Sequence, residues 1–368
     1  MKKILFCAST VSHINNFHLP YLKAFRDMGY EVHVVTNVTV PIKWAHQVFA
    51  LPFDKKMHSP NNLRAIIKAF KLLDVQSYEK IITNATLAGA VMRIAAMFLK
   101  SRPRIYHISH GYLFNLNSGI KKYIYLIPEK IVARVSDIVM VMNHEDHEIA
   151  KRYKLFKESL HYIDGMGVNP SRCKSVSPHE KSELRKQMGF LPDDFLFVYA
   201  AEFSKRKNHN LLINAFAKCK LERAHLVLAG DGRTLEDCRK LAKEIGMSNN
   251  IHFLGYVNDV PALYTKCDVA VSTSLIEGLP FNIIEAMGCR LPVVVSEIKG
   301  HRELVEENTN GLLFQSQDEK GLISCLKSIY TCSQEQRIHY GQIGFEKSKM
   351  FQLDHVFDQI MEIYTTFN

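Results

Sequence analysis

The sequence predicts an α/β protein built from two doubly wound domains, and three observations carry that expectation. Apolar runs of strand length alternate with amphipathic segments of helical period along nearly the whole chain, which is the pattern of parallel strands joined by crossover helices. The pattern starts afresh at Phe195 after a polar stretch that follows Val168. The 368 residues, 47% of them hydrophobic, suffice for two full cores.

Taken in order, Lys3–Ala8 reads as the first strand. Its two leading lysines resemble the start of a signal peptide, but the apolar run is about half an h-region and no small-residue cleavage site follows. Asn16–Met28 has helical period and is closed by Gly29, and Glu31–Thr36 is the next strand. Asn62–Leu73 and Ala88–Lys100 read as basic amphipathic helices on either side of a strand at Lys80–Thr83. Arg104–Ser109 is a strand that ends in His110 and Gly111, and ligands bind at such carboxyl ends in open parallel sheets. Ser136–Met142 is a strand with Asn143 placed to cap the helix after it. Gly165 and Gly167 let the chain reverse, and Pro170–Lys186 reads as a linker with a helix following.

In the second half, Phe195–Ala201 is a strand and Asn210–Lys218 a helix, with Lys205, Arg206 and Lys207 between them. Three adjacent cations suit a diphosphate, although a solvated charge run has the same appearance. His225–Gly230 leads into the turn Gly230–Asp231–Gly232, then a helix at Leu235–Ile245 and a strand at Ile251–Leu254. The stretch 268–297 reads strand, loop, helix, strand, and its loop empties onto a helix start at Phe281 and Asn282, where the dipole favours an anion. Glu277 and Glu285 frame that start. A carboxylate beside phosphate would be repelled by it, so the pair suits the hydroxyls on either side of a diphosphate. An ordinary loop with two solvated glutamates fits the spacing equally well. Helices at Glu319–Tyr330, Ser333–Met350 and Leu353–Phe367 close the chain.

Charge is uneven. Residues 1–168 hold 23 Lys and Arg against 12 Asp and Glu, and the remainder 24 against 25, so the whole excess of +10 arises in the first half. An anionic membrane surface suits such a half. Nucleic acid is disfavoured, because no zinc-finger spacing, RNA-recognition motif or helix-turn-helix pattern accompanies the charge. The eight cysteines form no C-x-x-C pair, which points to reduced thiols in a cytoplasm and to no metal.

Glu277–Met287 (EGLPFNIIEAM), with the following MGCRLPVVVSE and the later ENTNGLLF, resembles the E-x7-E signature of the retaining GT-B glycosyltransferases of family four. The resemblance covers nearly the whole chain, strongest over 195–314. It implies two Rossmann-like domains facing across a cleft: an acceptor domain at 1–168, a nucleotide-sugar domain at 169–346, and a C-terminal helix, 347–368, crossing back to the first. It also implies a retaining transfer from a nucleotide-sugar donor, UDP-linked by family frequency, to a lipid-linked saccharide in bacterial surface polysaccharide synthesis. No metal or other cofactor is expected, and the location implied is the inner face of the cytoplasmic membrane.

By the same resemblance Glu277, His110 and Lys207 are catalytic. Arg206, Gly230, Asp231, Tyr256, Val257, Gly278, Leu279, Pro280, Phe281, Asn282 and Glu285 bind the donor, and Ser12 and His13 the acceptor. The first loop departs from the family by lacking its glycine pair, and Glu202 stands where the family has arginine. Two other readings are a non-hydrolysing nucleotide-sugar epimerase, told apart by turnover without an acceptor, and a non-catalytic membrane-surface protein.

Overall fold

The computed structural model describes residues 1–368 apart from 55–58, 85, 117, 170–172, 174–175 and 367–368. The first part of the expected linker, Pro170–Arg172 with Lys174 and Ser175, and the last expected helical residue, Phe367, lie outside the described residues. The chain divides into two compact units: Met1–Gly167 with Asp354–Asn368, and Val168–Leu353. The return to the first unit thus begins at Asp354 rather than at residue 347.

The first unit contains β1 (Lys3–Cys7), α1 (Val11–Phe17), α2 (Leu19–Asp27), β2 (Glu31–Thr36), β3 (Gln47–Ala50), α3 (Pro60–Gln76), β4 (Lys80–Asn84) and α4 (Thr86–Ala96). It continues with β5 (Arg104–Ser109), α5 (Tyr123–Val132), β6 (Ile138–Val141), α6 (His144–Tyr153) and β7 (Ser159–Tyr162). Its seven strands are all parallel, in the order β3-β2-β1-β4-β5-β6-β7. Order reverses between β1 and β4, so the loops leaving those two strands diverge to opposite faces and open a crevice at their carboxyl ends.

The second unit contains α7 (Pro178–Gln187), β8 (Phe195–Ala200), α8 (His209–Cys219), β9 (Ala224–Ala229), α9 (Leu235–Glu244), β10 (Ile251–Gly255), α10 (Val260–Tyr264) and β11 (Val269–Ser272). It ends with α11 (Phe281–Gly288), β12 (Val293–Glu297), α12 (Lys299–Leu304), β13 (Gly311–Gln315), α13 (Glu319–Thr331) and α14 (Gln334–Ser348), while α15 (Leu353–Thr366) belongs almost wholly to the first unit. The six strands are parallel in the order β10-β9-β8-β11-β12-β13, and the reversal falls between β8 and β11. The runs Phe197–Tyr199, Val269–Val271 and Val293–Val295 are fully or almost fully buried, as strands covered on both faces must be. At about 1.5–3 kcal/mol per large apolar side chain, such runs hold the sheet that positions the loops.

Three expectations need correction. The helix expected over Asn16–Met28 is two helices, with α1 starting at Val11 where Thr10 accepts from the His13 backbone N–H, and a break at His18 before Pro20. Proline lacks the N–H that a continuous helix would need there. The linker reaching Lys186 contains α7, in which Pro178 takes the first helical position within a capping box made by Ser177 and Glu180. The helix at 88–100 presents no basic face from α4, because Arg93 is fully buried and donates to both carboxylate oxygens of Glu129, at 2.6 and 3.3 Å. Among the described residues no helix is long and apolar enough to cross a membrane.

Candidate active site

In the second unit the functional loops leave the two strands that flank the reversal. The loop after β8 carries Lys205, Arg206 and Lys207, and the loop after β11 carries Thr273–Pro280. They are stitched together by buried hydrogen bonds. Leu275 N–H donates to Arg206 O at 2.8 Å, and Thr273 Oγ1 donates to the carbonyls of Lys207 and Asn208 at 3.0 and 2.9 Å. Tyr199, fully buried on β8, donates to Lys207 O at 3.1 Å and shares a hydrogen bond with Ser274 Oγ at 2.9 Å. These bonds fix where the lysine and arginine side chains start.

Both cations reach the same acid. Arg206 Nη1 lies 2.7 Å from Glu277 Oε2, and Lys207 Nζ lies 2.6 Å from Oε1, the latter an ionic contact rather than a well-directed hydrogen bond. Lys207 and Glu277 are each only 10% exposed at the side chain, whereas Arg206 is 40% exposed and donates further to Ile276 O. Burial pushes the Glu277 carboxyl up, but the charges of Lys207 and Arg206, together with a hydrogen bond from Ser274, outweigh it and hold the group down at about 2. The site is therefore an ionised carboxylate under two cations, with one positive charge in excess. Arg206 brings its charge to the acid that Lys207 also meets, while Glu202 is exposed.

Gly230 and Asp231 follow β9 and press on the β8 loop. A Cβ at Gly230 would stand 2.0 Å from Ala201 O, and φ there is 144°, so only glycine fits. Phe203 N–H donates to Asp231 O at 2.9 Å. Gly278, Leu279 and Pro280 are buried, and no side chain caps α11. At its first turn Phe281 and Asn282 are half-buried, and Asn282 Nδ2 donates to Ala200 O at 3.1 Å, tying the helix start to the end of β8. Glu285 lies one turn further along, half-buried, with a backbone carbonyl that accepts from Cys173 Sγ. Tyr256 and Val257 follow β10, two strands away from β8, and Tyr256 is 76% exposed. The structure thus brings Arg206, Lys207, Glu277, Gly230, Asp231 and Asn282 together around the ends of β8 and β11. Tyr256 and Val257 follow Gly255, whose carbonyl accepts from Gly230 N–H at 2.7 Å, so they join the cluster from the edge strand.

Sequence reasoning missed what supports Glu277 from below. Gly300, in α12, packs on the loop so closely that a Cβ would stand 2.8 Å from Glu277 O and 2.7 Å from Gly278 O. Ser296 Oγ donates to Ser274 O at 2.6 Å, and the buried His301 lies within the field of Glu277 and Lys207. Burial lowers His301 to about 4, against a hydrogen bond to Ser296 and the charge of Glu277. A glycine just past a strand end was the available signal.

In the first unit, Ser12 and His13 lie in α1 and not in a loop, and His110 follows β5. Ser12 is exposed and shares a hydrogen bond with Thr10 Oγ1. The His13 ring packs edge-on against His110 with centroids 4.7 Å apart and lies 5.2 Å from His18. His110 Nε2 meets Asn84 Oδ1, at the end of β4, at 3.5 Å. Burial, with a neighbouring histidine adding to it at His18 and His110, keeps all three rings neutral: His13 falls to about 4, and the other two fall well below the usual range. Neutral imidazoles at a sheet reversal can exchange hydrogen bonds with hydroxyls.

Two Rossmann-type parallel sheets, the second with cations and an acid at its reversal, are the architecture of the GT-B fold. Residues 180–346 match the family described as glycosyl transferases group 1. The chain is 31% identical over 370 residues, its full length and 97% of the relative, to EpsD of Bacillus subtilis (strain 168), which is named as a glycosyltransferase. It is 28% identical over 278 residues, 72% of this chain and 70% of the relative, to the Escherichia coli UDP-Gal:alpha-D-GlcNAc-diphosphoundecaprenol alpha-1,3-galactosyltransferase. The crystal structure of Anabaena Alr3699/HepE in complex with UDP and glucose superposes over 100% of both chains with a TM-score of 0.79 at 21% identity, a likeness of fold. The chain belongs to the glycosyl transferases group 1 family. It is a glycosyltransferase, which sets aside the epimerase and the non-catalytic reading.

Proposed function

We propose that the enzyme transfers a hexosyl or N-acetylhexosaminyl unit from a UDP-sugar to a lipid-linked saccharide, with retention at the anomeric carbon, during synthesis of a bacterial surface polysaccharide. The observation that carries this reading is the convergence of Lys207 and Arg206 on Glu277 beside the start of α11. Glu277 pairs with both cations. A diphosphate seated at α11 exchanges with it: Lys207 and Arg206 turn to the phosphate oxygens, and Glu277 accepts hydrogen bonds from hydroxyls of the donor sugar. Glu285, further along α11, takes the ribose hydroxyls.

As the sugar–phosphate bond breaks, negative charge grows on the leaving UDP, where two cations and a helix N-terminus lower the barrier most. This charge set is proposed to serve without a metal or other cofactor. The leaving phosphate accepts the proton of the attacking hydroxyl, so no separate base is assigned. Ser12 and His13 bind the acceptor in the first unit, and His110 serves there as a catalytic residue. The excess of positive charge in that unit suits a peripheral position at the inner face of the cytoplasmic membrane, where a lipid-linked acceptor is found. The named substrates of the Escherichia coli relative support the donor and acceptor classes.

A thermal-shift panel of nucleoside diphosphates and their sugars tests the donor. Ligand at 100 times its Kd stabilises the fold by about 2.7 kcal/mol, so UDP and one UDP-sugar should raise the melting temperature by several degrees. A panel in which no nucleotide shifts the transition would refute the reading.

A further inference from the structure

α5 and the turn before it carry five large apolar side chains with no partner in the core. Ile120, Tyr123, Ile124, Ile127 and Ile131 recur at helical spacing and are 86, 46, 64, 55 and 45% exposed. Single exposed apolar residues are ordinary, but a stripe of five along one helix marks a contact surface. Beside it lies an open groove of about 540 Å³. Its floor is Ile127, Ile131 and Phe156, and its rim is Lys130, Arg134, Lys154 and Lys157.

No Asp or Glu lines this groove. Lys157 is already engaged, 3.2 Å from Asp137 and 3.8 Å from Glu158. Lys130, Arg134 and Lys154 have no carboxylate partner among the described residues. Three unpaired cations around an apolar floor, next to an apolar stripe, match a molecule that is anionic at one end and hydrocarbon at the other. A soluble phosphate would satisfy the rim and leave the stripe bare, and the same stripe argues against a nucleic-acid backbone.

We infer that this groove binds the phosphate headgroup of an anionic membrane lipid while the α5 stripe enters the acyl layer. The inference rests on the membrane-associated reading given above and names the element and the lipid chemistry responsible. α3 supplies a built-in comparison, since Arg64, Lys68 and Lys71 are also exposed there and without a carboxylate partner among the described residues, and they do not line this groove. If charge alone drew the protein to the bilayer, the two sets of cations would count equally.

The test is co-sedimentation of the full chain with vesicles of phosphatidylglycerol in phosphatidylcholine, and with phosphatidylcholine alone. The wild type should bind the anionic vesicles in preference. The triple variant Lys130→Gln, Arg134→Gln, Lys154→Gln should bind them roughly 100-fold more weakly, the factor for three lost lipid-facing cations. Arg64→Gln, Lys68→Gln, Lys71→Gln removes the same charge and should change binding by less than about threefold. Ile124→Asp with Ile127→Asp should also lose binding, although the cations remain. Equal losses for the two triple variants, or wild-type binding by either the groove or the stripe variant, would overturn the inference while leaving membrane association intact. A wild type indifferent to both vesicle types would remove the membrane reading itself. A wild-type circular-dichroism spectrum and melting transition show that the first unit of each variant is folded, and the UDP-induced thermal shift, which reports on the second unit, should persist in all of them.

Discussion

Glu277 and Lys207 form a pair in which each side chain explains the other's burial. An unpaired carboxylate or ammonium that is only 10% exposed would carry a penalty of several kcal/mol, and their contact offsets most of it. In turnover both are expected to meet charge or hydroxyls of the donor, so Lys207→Ala and Glu277→Gln should each lower kcat by roughly 100-fold or more, read from initial rates at saturating donor. Wild-type kcat in both variants would remove these roles. The pair also sets an acid limb. Glu277 is depressed to about 2, so its stabilisation is complete above the unfolded carboxyl value near 4.5 and is lost as pH falls from there towards 2. Melting curves of the wild type and Glu277→Gln should therefore differ at neutral pH and converge across that window. Of this residue-scale picture, the E-x7-E spacing and the adjacent cations were legible in the sequence, because both are local. The ion pair was not, since the 70 residues separating Arg206 from Ile276 hide the contact until β8 and β11 pair.

At the scale of elements, α12 acts on the site through contact and not through chemistry. Gly300→Ala would drive a methyl group into the carbonyls of Glu277 and Gly278, and overpacking of this kind costs about 1–3 kcal/mol. The variant should melt several degrees lower and bind UDP more weakly, and unchanged values of both would show that α12 does not hold the loop. In the first unit the break between α1 and α2 buries His18 with neither ring nitrogen hydrogen-bonded. His18 is depressed by burial and then by His13 and His110, so as pH falls below about 6.5 the unfolded chain binds a proton that the folded one excludes. Stability should then fall by about 1.4 kcal/mol per pH unit for that proton, and His18→Phe should flatten the slope measured by urea unfolding between pH 7 and 5.

Strand and helix identities were legible because parallel sheets covered on both faces leave apolar runs of fixed length. The α1–α2 break was missed because apolar period runs straight through Pro20. The role of Arg93 was missed because a buried, paired arginine has the same letter as a solvated one.

For the whole molecule, the two sheets share one rule: order reverses beside the first strand of each unit, and chemistry-bearing residues gather at that reversal. Asn84, His13 and His110 do so in the first unit, and Arg206, Lys207 and Glu277 in the second. The restart of the pattern at Phe195 made the two-domain layout readable from sequence. The membership of α15 in the first unit rests on contacts such as Lys80 Nζ donating to Tyr364 O at 2.7 Å, which no local pattern encodes. The uneven charge was visible at once, but the gathering of Lys130, Arg134 and Lys154 around one groove, with Arg64, Lys68 and Lys71 on α3 outside it, required the structure.

In the proposed function the second unit holds a nucleotide sugar by its diphosphate. Calorimetric titration of wild type and Lys207→Ala with UDP and with uridine tests it most directly. Charge-assisted contacts to the diphosphate predict that UDP binds the wild type at least 100-fold more tightly than uridine, and that Lys207→Ala loses roughly 10-fold or more for UDP and nothing for uridine. Equal affinity for UDP and uridine, or a Lys207→Ala variant that binds UDP as the wild type does, would contradict it.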